Sequence, residues 1–143
     1  MEKLNPYYVS GIVDGEGWFG VSLSVKNELA AGFQVSLNFG LAMNCRDSKL
    51  IFRIKEHFDC GIVTIKKNGM TEYRVRSFDD IVTKIIPFFD MYKLQSEKNR
   101  DFEYIKIIAK LMQDKKHLTK DGVDFVRSVK NNMHVYNCFE EIK

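Results

Sequence analysis

The chain has 143 residues, 45% of them apolar and 29% charged, with a formal net charge of +3. This length and balance suit one globular domain over residues 1–143 with a core of its own. No apolar run approaches the ~20 residues of a membrane span, and Met1 to Pro6 contain no apolar signal region, so neither a membrane partner nor secretion is expected. Cys45, Cys60 and Cys138 are widely spaced and odd in number, so they form no metal or disulfide framework. They imply a reducing compartment, and Cys45 and Cys60 read as small buried hydrophobes. The weak positive charge does not single out a nucleic-acid partner; its distribution matters more than its sum.

In chain order, Asn5-Pro6 opens a helix over about residues 6 to 16, since Asn is a favoured N-cap and Pro suits the first helical position. Val9, Ile12 and Val13 follow at helical spacing, and Gly17 is placed as a C′ stop. From Trp18 the period falls to two. Phe19, Val21, Leu23 and Val25 alternate with Gly20, Ser22, Ser24 and Lys26, which predicts a half-buried strand. Trp18 itself reads as a core residue. After a loop near Asn27, a longer strand alternates Phe33, Val35, Leu37, Phe39, Leu41 and Met43 with Gln34, Ser36, Asn38, Gly40, Ala42 and Asn44.

Asp47 is placed to cap a helix whose stripe is Leu50, Ile51, Ile54 and Phe58. Ile62, Val63 and Ile65 form a strand, Asn68-Gly69 is a hairpin turn, and the return strand carries Tyr73 and Val75 inward. A third helix follows Ser77 and is ended by Pro87. Two more helices cover about residues 97 to 112 and 120 to 132. The order is α-β-β-α-β-β-α with helices appended, an α+β class with one antiparallel sheet and helices on one face.

The opposite face would carry Ser22, Ser24, Lys26, Gln34, Ser36, Asn38, Thr64, Lys66, Glu72, Arg74 and Arg76. Antiparallel strands can enter the major groove of DNA, where such side chains bond base edges. An antiparallel sheet also commonly shows water a polar face with no further role, and alternation alone leaves both readings open.

The first helix is the most informative segment. Gly11 and Gly15 lie four residues apart on one face, and each costs about 1 kcal/mol in a helix interior. Close approach of a second backbone would offset that cost. Asp14 and Glu16 stand at the helix C-terminus, where the macrodipole already places negative charge. Carboxylates gathered beside carbonyls suit a hard cation such as Mg²⁺; two exposed acids tolerating a small penalty is the plainer alternative.

Val9 to Gly17 resemble the nonapeptide that names the LAGLIDADG homing endonucleases. Three later features agree: Phe39, Asp47, Leu50 and Ile54; Ser96-Glu97-Lys98-Asn99-Arg100-Asp101-Phe102; and His117-Leu118-Thr119 with Gly122. The resemblance implies the αββαββα fold with a saddle-like sheet. It implies a site-specific endonuclease that makes double-strand breaks in a long pseudo-palindromic DNA target by Mg²⁺-dependent hydrolysis. Glu16 would then be catalytic and ligate the metal with the Gly15 carbonyl. Lys98 would be the basic catalytic group, and the outward strand residues would bind double-stranded DNA. Ser10, Gly11, Asp14 and Gly15 would line a helix–helix contact.

Only one such motif occurs, so a homodimer would supply two sites; half of a split two-motif enzyme is the other possibility. Members commonly place Gln on the second strand near the site, whereas this chain has Gly40 and Met43 there. That departure leaves room for a maturase that binds its own intron RNA, or for a decayed DNA-binding protein. The resemblance implies an organelle, mitochondrion or chloroplast, or a microbial cytoplasm.

Overall fold

The structure is a computed structural model, and it describes residues 2–135. Cys138 lies outside the described residues. The elements in order are α1 (Pro6–Glu16), β1 (Gly17–Val25), β2 (Phe33–Asn44), α2 (Ser48–Phe58), β3 (Ile62–Ile65) and β4 (Met70–Val75). They continue as α3 (Phe78–Asp80), a π-helical turn (Ile81–Ile85), α4 (Ile86–Met91), α5 (Lys98–Gln113) and α6 (Lys120–Asn132). The four strands form one antiparallel sheet in the order β1-β2-β4-β3.

One hydrophobic cluster joins the inward strand residues to the helices. Val9 and Val13 of α1, Ile51, Ile54 and Phe58 of α2, Phe102, Ile105 and Ile108 of α5 and Val126 of α6 all enter it. Its centre is aromatic. Phe19 and Phe39 lie 5.2 Å apart across β1 and β2, and Phe89 packs edge-on against each at 5.5 Å. Such pairs add about 0.5–1.5 kcal/mol beyond their buried area. Helices therefore cover one face, and the other stays open.

Local chemistry explains most of the boundaries. The Asn5 side chain accepts from Tyr7 N, and Pro6 begins α1. Asn68 Oδ1 accepts from Met70 N, and Gly69 has φ 85° in the β3–β4 turn. Other expectations are corrected. Gly17 ends α1 in an extended conformation, φ −91° and ψ 173°, because it passes directly into β1. Asp47 stands at the N-cap of α2 without a cap hydrogen bond; instead Ser48 Oγ bonds the Cys45 carbonyl and Thr71 Oγ1, both at 2.6 Å. Cys45 is exposed rather than buried. Pro87 does not end the third helix. The turn before it widens, Ile86 N bonds Ile81 O, and the helical course runs on to Met91. Proline lacks an N–H, so a wider turn ahead of it accommodates the missing donor.

The turn before α6 is tightly specified. Thr119 Oγ1 donates to Lys116 O at 2.8 Å and accepts from Gly122 N at 3.0 Å. A Cβ at Gly122 would collide with the Lys116 carbonyl. Gly122→Ala should therefore lower stability by about 1–3 kcal/mol, the range for overpacking. Urea unfolding checks this, and an unchanged midpoint would show that the turn can yield.

Candidate active site and nucleic-acid interface

The register assembles the open face in rows. Ser24 lies opposite Gln34, Ser22 opposite Ser36 and Gly20 opposite Asn38. Trp18, Gly40, Arg74 and Ile62 form the next row across all four strands. Thr64 lies opposite Glu72, while Lys26, Lys66 and Arg76 stand exposed just past the ends of β1, β3 and β4. The residues that alternation turned outward are thus brought to one face and its ends.

Glu72 does not repel a polyanion as a free carboxylate would. Its side chain is only 15% exposed, with Lys66 Nζ at 2.7 Å and Arg74 Nε at 3.2 Å. The cluster keeps one net positive charge. A depression of about 450 Å³ runs along it, lined by Ile62, Thr64, Glu72, Arg74, Arg76 and Asp80.

Trp18 corrects the core assignment. Its parity matches Gly20, so it lies on the open face, with Nε1 donating to Asn38 Oδ1 at 3.1 Å. The indole covers Gly40, where a Cβ would come within 2.5 Å of the ring. The Arg74 guanidinium sits 5.7 Å from the ring centroid. Met43 is half-buried against the core. Neither Gly40 nor Met43 places an amide on the open face. Glycines facing water within strands mark close approach, so Gly20 and Gly40 were the sequence signal for this packing.

At the end of α1, Glu16 is exposed where the helix passes into β1. Asp14 turns the other way and accepts from Gln95 N at 2.9 Å, Ser96 N at 2.9 Å and Ser96 Oγ at 2.6 Å. Burial raises its pKa, but the Ser96 and Gln95 hydrogen bonds and Lys98 outweigh it and hold the carboxyl below its ordinary value. Lys98 Nζ returns across the same gap to Asp14 O at 2.9 Å and Val13 O at 3.3 Å. Burial lowers the Lys98 pKa against the opposing pull of Asp14, Glu16 and Asp101. Two of its N–H bonds are taken by carbonyls, leaving one to point elsewhere.

The four residues assigned to a helix contact separate into two faces. Ser10 is buried, and its Oγ donates to Tyr92 O at 2.6 Å. Asp14, four residues on, is spent on Gln95 and Ser96, just ahead of α5. One further residue turns the helix by about 100°. Gly11 and Gly15 accordingly face outward, with nothing within 4 Å of an added Cβ. Tyr7, on the same stripe, is 70% exposed.

Residues 9–109 match the family model described as LAGLIDADG endonuclease. The chain belongs to this family. A probable intron-encoded endonuclease 2 of Neurospora crassa is 34% identical over 127 residues, covering 88% of this chain and 26% of that protein. An uncharacterised 50.9 kDa protein in ND4 intron 1 of Podospora anserina is 33% identical over 122 residues, covering 84% and 27%. The chain spans about a quarter of the length of these curated relatives.

Among solved structures, the meganuclease I-SmaMI bound to uncleaved DNA in the presence of calcium ions superposes with a TM-score of 0.89 at 34% identity, over 92% of this chain and 45% of that one. The homing endonuclease I-TnaI superposes with a TM-score of 0.88 at 30% identity, over 99% of this chain and 100% of that one. The αββαββα reading of the family fold is thereby borne out.

Asp14→Ala should loosen the α1–α5 contact by about 1 kcal/mol, the scale of a lost capping side chain, with solvent exposure limiting the charge contribution. Because the folded pKa is depressed, this stabilisation is present above the unfolded value of 3.8 and is lost as pH falls through the folded value. Thermal unfolding from pH 6 down to about pH 2 should converge for wild type and variant at the acid end. Parallel curves throughout would remove the Asp14 charge from the account.

Proposed function

We propose that the protein is a site-specific DNA endonuclease that hydrolyses phosphodiester bonds with a divalent metal, acting as a homodimer on a long pseudo-palindromic target. The observation that carries this reading is the placement of Glu16. It is an exposed carboxylate at the end of α1, where the helix runs into β1, and its charge acts on Lys98. A carboxylate at a helix C-terminus is electrostatically unfavourable unless a cation answers it.

The donor set fits a hard ion. The Glu16 carboxylate and the Gly15 carbonyl would hold Mg²⁺, which favours oxygen ligands and keeps several waters. Bound there, such an ion would supply Lewis-acid polarisation of the scissile phosphate. Among the described residues no group of three or more His, Cys, Asp or Glu side chains gathers, so one copy offers part of a coordination sphere. DNA oxygens and a second copy would complete it. Lys98, anchored by two carbonyls, would aim its remaining N–H at a phosphate oxygen or an attacking water.

Ser22, Ser24, Lys26, Gln34, Ser36, Asn38, Thr64, Lys66, Glu72, Arg74 and Arg76 would face the DNA. Gly11 and Gly15, open along α1, would let a second first helix approach, while Ser10 and Asp14 would hold that helix in place from inside. The intron-encoded relatives in fungi support an organellar setting. No helix of the described residues is long and apolar enough to cross a membrane. The indole over Gly40 favours, as a second reading, a scaffold that binds DNA or its own intron RNA without cutting.

Glu16→Gln should abolish cleavage in Mg²⁺ while DNA binding in Ca²⁺ stays within about twofold, since only one charge is removed. Parallel assays of both proteins check this, and equal cleavage would remove Glu16 from the mechanism. Wild type that binds its target without cutting would favour the second reading.

Gly11→Leu should shift sedimentation at micromolar concentration from dimer to monomer. A wild-type monomer that cuts both strands would overturn the homodimer.

A further inference from the structure

Two side chains on the open face lie diagonally across β1 and β2, each resting on the other strand's glycine. The Trp18 indole covers Gly40, and the Asn38 amide covers Gly20, with Oδ1 2.7 Å from where a Cβ would stand. A side chain at either glycine would prevent the pair from lying flat. The two are joined by Trp18 Nε1 donating to Asn38 Oδ1 at 3.1 Å. Indole Nε1 is a donor only, so chemistry alone fixes which end of the amide faces it. The amide nitrogen is left on the other side, and among the described residues it has no partner.

Asparagine ordinarily reads adenine by a two-bond contact, its oxygen accepting from N6 and its nitrogen donating to N7. In Asn38 the indole takes one of the two lone pairs of the oxygen and turns that end of the amide toward β1, so the nitrogen is the end left without a partner. We infer that Trp18 is a positioning residue that pins the oxygen end of the Asn38 amide and presents its nitrogen, so that Asn38 reads as a donor and selects guanine, which presents two acceptors in the major groove, over adenine and cytosine at one base pair. This inference rests on the DNA-binding reading above. Arg74, held against the same indole and paired with Glu72, borders the position and restrains the ring from the β4 side.

The test is a selection of bound sites from randomised DNA in Ca²⁺, with wild type, Asn38→Ala, Trp18→Phe and Asn38→Asp. Asn38→Ala identifies the position by loss of preference there. Wild type should favour guanine at it. Trp18→Phe frees the oxygen and should raise adenine relative to guanine by about fivefold or more, the lower end for a gained bidentate contact. Asn38→Asp keeps an acceptor for the indole and turns the outward atom from donor to acceptor, so it should move the preference to cytosine, whose N4 donates.

The Asp variant keeps the inference testable if Trp18→Phe does not fold. Adenine preference in wild type, or profiles unchanged by both Trp18→Phe and Asn38→Asp, would overturn the inference. So would an Asn38→Ala profile identical to wild type. Failure of wild type itself to enrich any DNA would instead overturn the DNA-binding reading.

Discussion

The clasp between the end of α1 and the segment that enters α5 is the constraint on which the candidate site depends. Asp14 gives its carboxylate to the Gln95 and Ser96 amides, and Lys98 gives its ammonium to the Asp14 and Val13 carbonyls. Asp14 thus satisfies two amides of the segment that leads into α5, and Lys98 answers the Asp14 carbonyl at the end of α1. The exchange sorts the two acids of the motif: Asp14 is consumed by structure, and Glu16 is left free where α1 meets the sheet. It also fixes the Lys98 ammonium against the last turn of α1. A site that must hold charge in exact places is better served by such a rigid frame than by loops.

The open face follows a different logic. Its strands carry short polar side chains at the β1–β2 end and long charged ones at the β3–β4 end. Where the two meet, the indole of Trp18 lies flat, and Asn38 and Arg74 take fixed places around it. Ordering these groups before binding removes part of the entropy that a loose polar surface would lose on contact.

Much of this was legible in the sequence because two periods are hard to confuse. Alternation over Phe19–Val25 and Phe33–Met43 fixed which face each strand residue takes, and the helical stripe of Ile51, Ile54 and Phe58 did the same for α2. The same parity turns Trp18 outward, against its assignment to the core, and only Gly40 opposite it explains how an open face accommodates an indole. The course past Pro87 was hidden because a π turn has no composition of its own. The split of Ser10 and Asp14 from Gly11 and Gly15 was hidden too, since helical spacing places residues on a face without saying what packs there.

The clamp around Glu72 bears on how the open face would meet a charged polymer. Lys66 and Arg74 already hold a resident counterion, fixed by the fold rather than borrowed from solution. A polyanion docking there would displace fewer salt ions than the number of basic side chains implies, and its affinity would decline less steeply as ionic strength rises. Binding energy on such a surface is weighted away from bulk charge attraction and toward the shape and hydrogen bonding of what it meets.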